Sequence, residues 1–293
     1  MNKIQPEEFP EMVQISENES QKQTDREDNL ARLRRLRPID DTFMRVIFRD
    51  DIPLTEFVLR MITGDSDLSL TVQQTQKDLT RLTGARGLSL DVYAEDTRGQ
   101  LYNLEVQRDD KGACPERIRY HSSALDIENL RAGEPFEALP TLYVIFITEN
   151  DVFGTGNGVY PVKRVNIATG KPYEDRVNIF YANAAYKGDD PLGQLMHDFL
   201  CSDPDQMFTP ILAKKARFYK TSSKGVDYMC KIMDEMKEEA FQRGHAQGIE
   251  QGIEQTRIDA IKSIMSGFSY TASQAMNLLN IPAADQRKYL AKL

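Results

Sequence analysis

Tryptophan is missing from this chain, and cysteine and histidine occur three times each among 293 residues. Cys114, Cys201 and Cys230 are odd in number and widely spaced. That excludes a disulfide scaffold and a CxxC-type zinc site, and it fits a reducing, cytoplasmic setting. His121, His197 and His245 are too scattered for a histidine metal trio. Long apolar runs are also lacking. The longest, LPTLYVIFIT at 139–148, is well short of the roughly 20 residues of a membrane-spanning helix and suits a buried strand. The opening MNKIQPEEFPEM has no basic stretch followed by an apolar one, so no secretory signal is expected. Basic charge is in deficit, with 37 Lys+Arg against 45 Asp+Glu and a net charge of −8. The deficit is uneven: residues 1–30 hold eight acids and three bases, a net of −5, which leaves −3 for the rest. A near-neutral body with local basic patches can approach nucleic acid, whereas a uniformly acidic one would be repelled.

What is present has the balance of a soluble globular chain, 40% hydrophobic and 28% charged. Its length suits one main domain and an appendage. Residues 1–37 are polar, aperiodic and end in the basic string RLRRLR, so they read as a disordered leader. Phe43, Val46 and Ile47 then fall at helical spacing. Pro53 can open a second helix, capped by Asp50 or Asp51 and closed by Gly64. LSLTVQ is strand-like, and Arg81 and Arg86 mark a basic turn region after it. Residues 114–131 read as a helix, LYVIFIT as a strand buried on both faces, and PVKRVNI and VNIFYAN as shorter strands. Helix–strand alternation around an apolar strand predicts an α/β core. From Gly225 a long charged helix is expected to about Gln255, followed by three short helices broken at Gly267 and Pro282.

The most informative stretch is GLSLDVYAEDTRGQLYNLEVQRDD. Leu88, Leu90, Val92 and Ala94 alternate with polar residues, as do Tyr102, Leu104 and Val106, although Tyr93 and Leu101 dilute the contrast. Thr97-Arg98-Gly99 suits a three-residue hairpin connection with Gly in the left-handed position. With Asp96 and Gln100 flanking that loop, Asp91 faces Glu105 and Gln107 follows on the same face. Facing carboxylates repel. A hard divalent cation such as Mg²⁺ would remove that cost and would turn bound water into a better nucleophile. Gln107 is placed to hold or orient such a water. The same pattern also suits polar residues on the solvent side of an amphipathic hairpin.

Asp91, thirteen residues, then Glu105-Val106-Gln107 resembles the metal site of the PD-(D/E)XK nuclease superfamily. The likeness is to its recombination-promoting nuclease/transposase branch. Asp41-Thr-Phe-Met44-Arg45, with Phe48 following, is similar to the family's entry helix. DVYAEDTRGQLYNLEVQR is similar to its hairpin, RIRYHSSALD to the next helix, and GIEQGIEQ with the C-terminal piece to its tail. The resemblance implies a restriction-endonuclease-like α/β core, a mixed central sheet flanked by helices, with a C-terminal helical extension. It also implies a DNA endonuclease that uses Mg²⁺, or Mn²⁺, in recombination or mobile-element transposition. Asp91 and Glu105 would ligate the metal, and Asp41 would be an accessory acid. Gln107 stands where the wider superfamily has Lys, so a positive charge is missing that Arg45 or Arg117 could supply. Met44 replaces the family's usual Phe.

The implied organisation is a leader over 1–37, a nuclease-like domain over 38–225 and a helical module over 226–293. Elsewhere, Lys214, Lys215 and Arg217 lie in an acid-free basic stretch with Phe218 and Tyr219, suited either to tracking a DNA backbone or to a solvated helix face. His121 is read as a core or supporting residue, and FGTGNG at 153–158, lacking a P-loop's Lys-Ser/Thr ending, as a flexible turn. Gly244, Gly248 and Gly252 recur every four residues and would let another helix approach closely. The expected partners are DNA and a second copy of the chain through the C-terminal helices, with no membrane. A rival reading keeps the nuclease scaffold as an inactive module that binds DNA or protein.

Overall fold

The computed structural model describes residues 10–79, 87–108 and 110–293, so the expected basic turn at Arg81 and Arg86 lies outside the described residues. The chain divides into two compact units, Met1–Cys230 and Lys231–Leu293.

In the first unit the stretch read as a disordered leader carries a helix, α1 (Pro10–Arg35). Its C-terminal end is anchored by Asn29, Leu33 and Leu36, all buried, a helical spacing that the surrounding charge obscures in the sequence. α2 (Asp41–Phe48) buries Phe43, Met44, Val46, Ile47 and Phe48 and leaves Asp41 exposed. The Met44 of the entry motif is therefore a core residue. α3 (Ile52–Thr63) begins and ends as expected. The Asp51 carboxylate accepts from Leu54 N–H, Pro53 sits in the first turn, and Gly64 closes the helix at φ 74°.

The six-stranded sheet comprises β1 (Leu70–Leu79), β2 (Leu88–Asp96), β3 (Leu101–Gln107), β4 (Leu142–Thr148), β5 (Val159–Val162) and β6 (Val177–Asn183), in spatial order β1-β2-β3-β4-β6-β5. β1, β2 and β3 pair antiparallel, β3, β4 and β6 parallel, and β5 antiparallel on β6. Helix α4 (Pro115–Asn129) makes the β3–β4 crossover. α5 (Pro191–Leu200) and α6 (Pro210–Thr221) follow the last strand. This mixed sheet with flanking helices is a restriction-endonuclease-like α/β fold.

β3 is a central strand, and α4 covers the face that carries its odd-numbered residues. Arg117 and His121 of α4 reach Glu105 and Asn103, and Tyr93 and Leu101 share an apolar cluster with Ile118 and Leu125. The odd face is thus not a solvent face: Asn103 and Glu105 are fully buried. That position explains the apolar Tyr93 and Leu101 that blur the alternation. The β2–β3 turn is organised by Asp96, whose buried carboxylate accepts from the N–H groups of Arg98 and Gln100, their side chains and Tyr102 Oη. Gly99 supplies the left-handed turn residue at φ 71°.

Helix α7 (Ser223–Phe268) continues past Gln255 to Phe268, so the first of the three expected short helices is part of it. Nothing between Thr256 and Ile264 breaks a helix, and Gly267 ends it only at the last turn. In the second unit Ile258 and Ile261 of α7 pack with Ala275 and Met276 of α8 (Ala272–Leu278) and with Tyr289 of α9 (Ala283–Leu290). Among the described residues no helix is long and apolar enough to cross a membrane.

Candidate active site

The hairpin register brings Asp91 opposite Glu105, continuing from the pair Val92–Leu104. Side chains then replace the ladder: Asp91 N–H donates to Glu105 Oε1 at 3.2 Å, and Val106 N–H donates to Asp91 Oδ2 at 3.0 Å. Both carboxylates are thereby fixed by the backbone of the opposite strand. Burial, and then the charge of Asp91, pushes Glu105 up to about 8. Asp91 is raised as well, by burial and then by the negative charge of Asp41, against the Val106 N–H and Gln76.

A cavity of about 410 Å³ opens over this pair. Asp41, Arg45, Asp91, Gln107 and Arg117, five of the residues singled out in the sequence, line it together. Glu105 lies beneath, reached through Asp91 and through Arg117, whose Nη2 donates to Glu105 Oε2 at 3.2 Å. Arg117 Nη1 also donates to Gln107 Oε1 at 3.1 Å. The acceptor of the Gln107 amide is taken up by the guanidinium, and the positive charge stands on Arg117 rather than at position 107. Asp41 accepts from Arg45 Nε at 2.9 Å on the outer side of α2.

The cavity wall includes Gln76, Ser89 and Arg108, which sequence reasoning missed. Gln76 sits in β1 between the pairs Thr75–Val92 and Lys77–Leu90, hence across from Asp91, with its backbone at φ 53°. Its Nε2 donates to Asp91 Oδ1 at 3.3 Å. Only the β1–β2 register reveals this role, because nothing in TVQQTQKD marks one glutamine over the others. Arg108 belongs to a closed ring of ion pairs in which Arg37 and Arg108 each contact both Asp40 and Glu149. The ring ties the turn before α2 to the ends of β3 and β4.

The basic stretch of α6 does not join the site. Lys215 Nζ donates to Asp51 Oδ2 at 2.6 Å, and Arg217 pairs with Asp205 at 2.7 Å. Lys220 donates to backbone carbonyls of Leu36 and Ser202. These contacts hold α6 onto its own unit; Lys214 is exposed. FGTGNG forms an ordered turn around Asp151, which accepts from the N–H groups of Phe153, Gly154 and Gly156 and from Tyr160.

Among the described residues no group of three or more His, Cys, Asp or Glu side chains is placed to hold a metal ion. The Asp91–Glu105 pair nevertheless fits a hard divalent cation. Its donors are all carboxylate oxygens, and the two acids oppose each other's ionisation in a buried place. Mg²⁺ is commonly held by one or two carboxylates, with waters and substrate phosphate completing its shell.

Residues 66–185 match the family model described as PD-(D/E)XK nuclease family transposase. No curated protein and no solved structure matches the chain significantly. The matched segment runs from just before β1 to the end of β6, so it contains Asp91, Glu105, Gln107 and Arg117 and leaves Asp41 and Arg45 outside. Through that segment, the chain is similar to the PD-(D/E)XK nuclease family transposases.

Proposed function

We propose that this chain is a divalent-cation-dependent DNA endonuclease that hydrolyses phosphodiester bonds in DNA recombination or mobile-element movement in the cytoplasm. The observation that carries the reading is the backbone-fixed Asp91–Glu105 pair at the floor of a cavity walled by Arg45, Arg108 and Arg117. Asp91 and Glu105 would hold Mg²⁺ or Mn²⁺. When bound, the metal supplies an activated water and neutralises charge on the phosphoryl group. Arg117 carries the charge the motif lacks at Gln107. Arg45 offers a second cation to the phosphate, and Gln107 retains its amide N–H groups as donors toward a water. Asp41, beside Arg45 in the same cavity, is the accessory acid, and Lys214 can add a backbone contact.

The nuclease domain is taken as 38–225 and the helical module as 226–293. With one centre per chain, cutting both strands calls for two copies. Exposed Phe241, Ile249 and Ile253 beside the open Gly244, Gly248 and Gly252 of α7 support a homodimer through the C-terminal helices. The test is cleavage of supercoiled plasmid by the purified protein. Nicked and linear DNA is expected with Mg²⁺ or Mn²⁺ and neither with EDTA. Binding without cleavage under every metal condition would instead favour an inactive scaffold.

A further inference from the structure

Beneath the cavity, His121 is completely buried on α4, edge-on to Phe146 with ring centroids 5.8 Å apart. Its two ring nitrogens make two hydrogen-bond contacts, and Nδ1 also faces Glu105 Oε1 at 3.6 Å. Arg117 Nε donates to Nε2 at 3.3 Å, and the Asn103 amide lies 2.9 Å from Nδ1. A neutral imidazole has one bare nitrogen and one N–H. Arginine can only donate, so Nε2 must be the bare nitrogen and Nδ1 must carry the proton. A doubly protonated ring would set an N–H against the Arg117 N–H. Asn103 must then turn its oxygen, not its NH2, toward the ring. The oxygen and nitrogen of an amide occupy nearly equivalent places. In the opposite orientation Asn103 Oδ1 is buried without a partner, and the half-turn gives it the Nδ1–H.

From this geometry we infer that His121 is a positioning residue, fixed by Asn103 as its Nδ1–H tautomer, whose bare Nε2 holds the Arg117 guanidinium over the site. The guanidinium is then held on three edges: Nε by His121, Nη1 by Gln107 and Nη2 by Glu105. Phe146, 5.9 Å from its central carbon, backs it. Without the histidine, Arg117 keeps two acceptors on one side and can swing about them. The consequence for cleavage rests on the nuclease reading; the tautomer and the contact do not.

Two measurements on the full-length chain test this. The first is the imidazole ¹⁵N spectrum of the labelled, metal-free protein near neutral pH, assigned with His121→Leu or His121→Gln. The expected result is a protonated Nδ1 and a bare Nε2; a protonated Nε2 overturns the inference. The second compares cleavage by variants whose folding is checked by thermal melting. A glutamine reaches about as far as imidazole Nε2 and can present an oxygen there. His121→Gln should therefore stay within about threefold of wild type, while His121→Leu, which offers no acceptor, loses about tenfold or more in kcat. Equal rates for His121→Leu and wild type, or equal losses for both variants, overturn it. A wild type that cleaves no DNA defeats the nuclease reading alone, because the spectrum still decides the contact.

Discussion

At the scale of single residues, Glu105 joins stability to function. Its carboxyl is pushed up to about 8, from 4.5 in an open chain, by burial and then by Asp91. The folded state therefore holds this proton more tightly than the unfolded state. The stabilisation from it is complete below the unfolded value and is lost as pH rises through the folded one. Melting of the metal-free protein between about pH 5 and 8 should show Tm falling more steeply in wild type than in Glu105→Gln. Parallel curves would show that Glu105 does not carry the proton. Position 107 makes a second, less intuitive prediction. Gln107→Lys restores the superfamily's residue, yet its ammonium would stand against the Arg117 guanidinium that Gln107 now binds. Like charges at this range cost about 1–4 kcal/mol, so cleavage should fall roughly tenfold or more. A gain of activity would contradict the assignment of the positive charge to Arg117.

At the scale of elements, the β2–β3 hairpin is the part that the sequence specifies most fully. Parity, turn residues and spacing together put Asp91 across from Glu105, and the backbone follows that register. Asp96 anchors the turn from a buried position. Asp96→Ala should destabilise the fold by about 2–3 kcal/mol, as read in urea unfolding, by leaving its donors without an acceptor. A change within about 0.5 kcal/mol would mean that the turn is held by its backbone alone. Local pattern gave no sign that α4 covers the odd face of β3, because that depends on the crossover. The alternation around Asn103 and Glu105 therefore also suited polar surface residues, although both are buried. The basic residues of α6 pose the opposite problem: their spacing is visible, while the partners of Lys215 and Arg217, Asp51 and Asp205, come from other parts of the chain. Gln76 was invisible for the same reason, since its role rests on pairing between strands.

At the scale of the whole molecule, the fold assembles one site from four separate pieces of chain. α2 brings Asp41 and Arg45, β1 brings Gln76, the hairpin brings Asp91, Glu105 and Gln107, and α4 brings Arg117 and His121. The most direct test is cleavage of supercoiled plasmid in Mg²⁺ by wild type, Asp91→Ala and Glu105→Ala at matched concentration, each verified as folded. The account predicts nicking and linearisation by wild type and a loss of at least about a hundredfold in both variants, since either change leaves a single carboxylate for the metal. Cleavage that survives both substitutions would contradict it and place the active centre elsewhere.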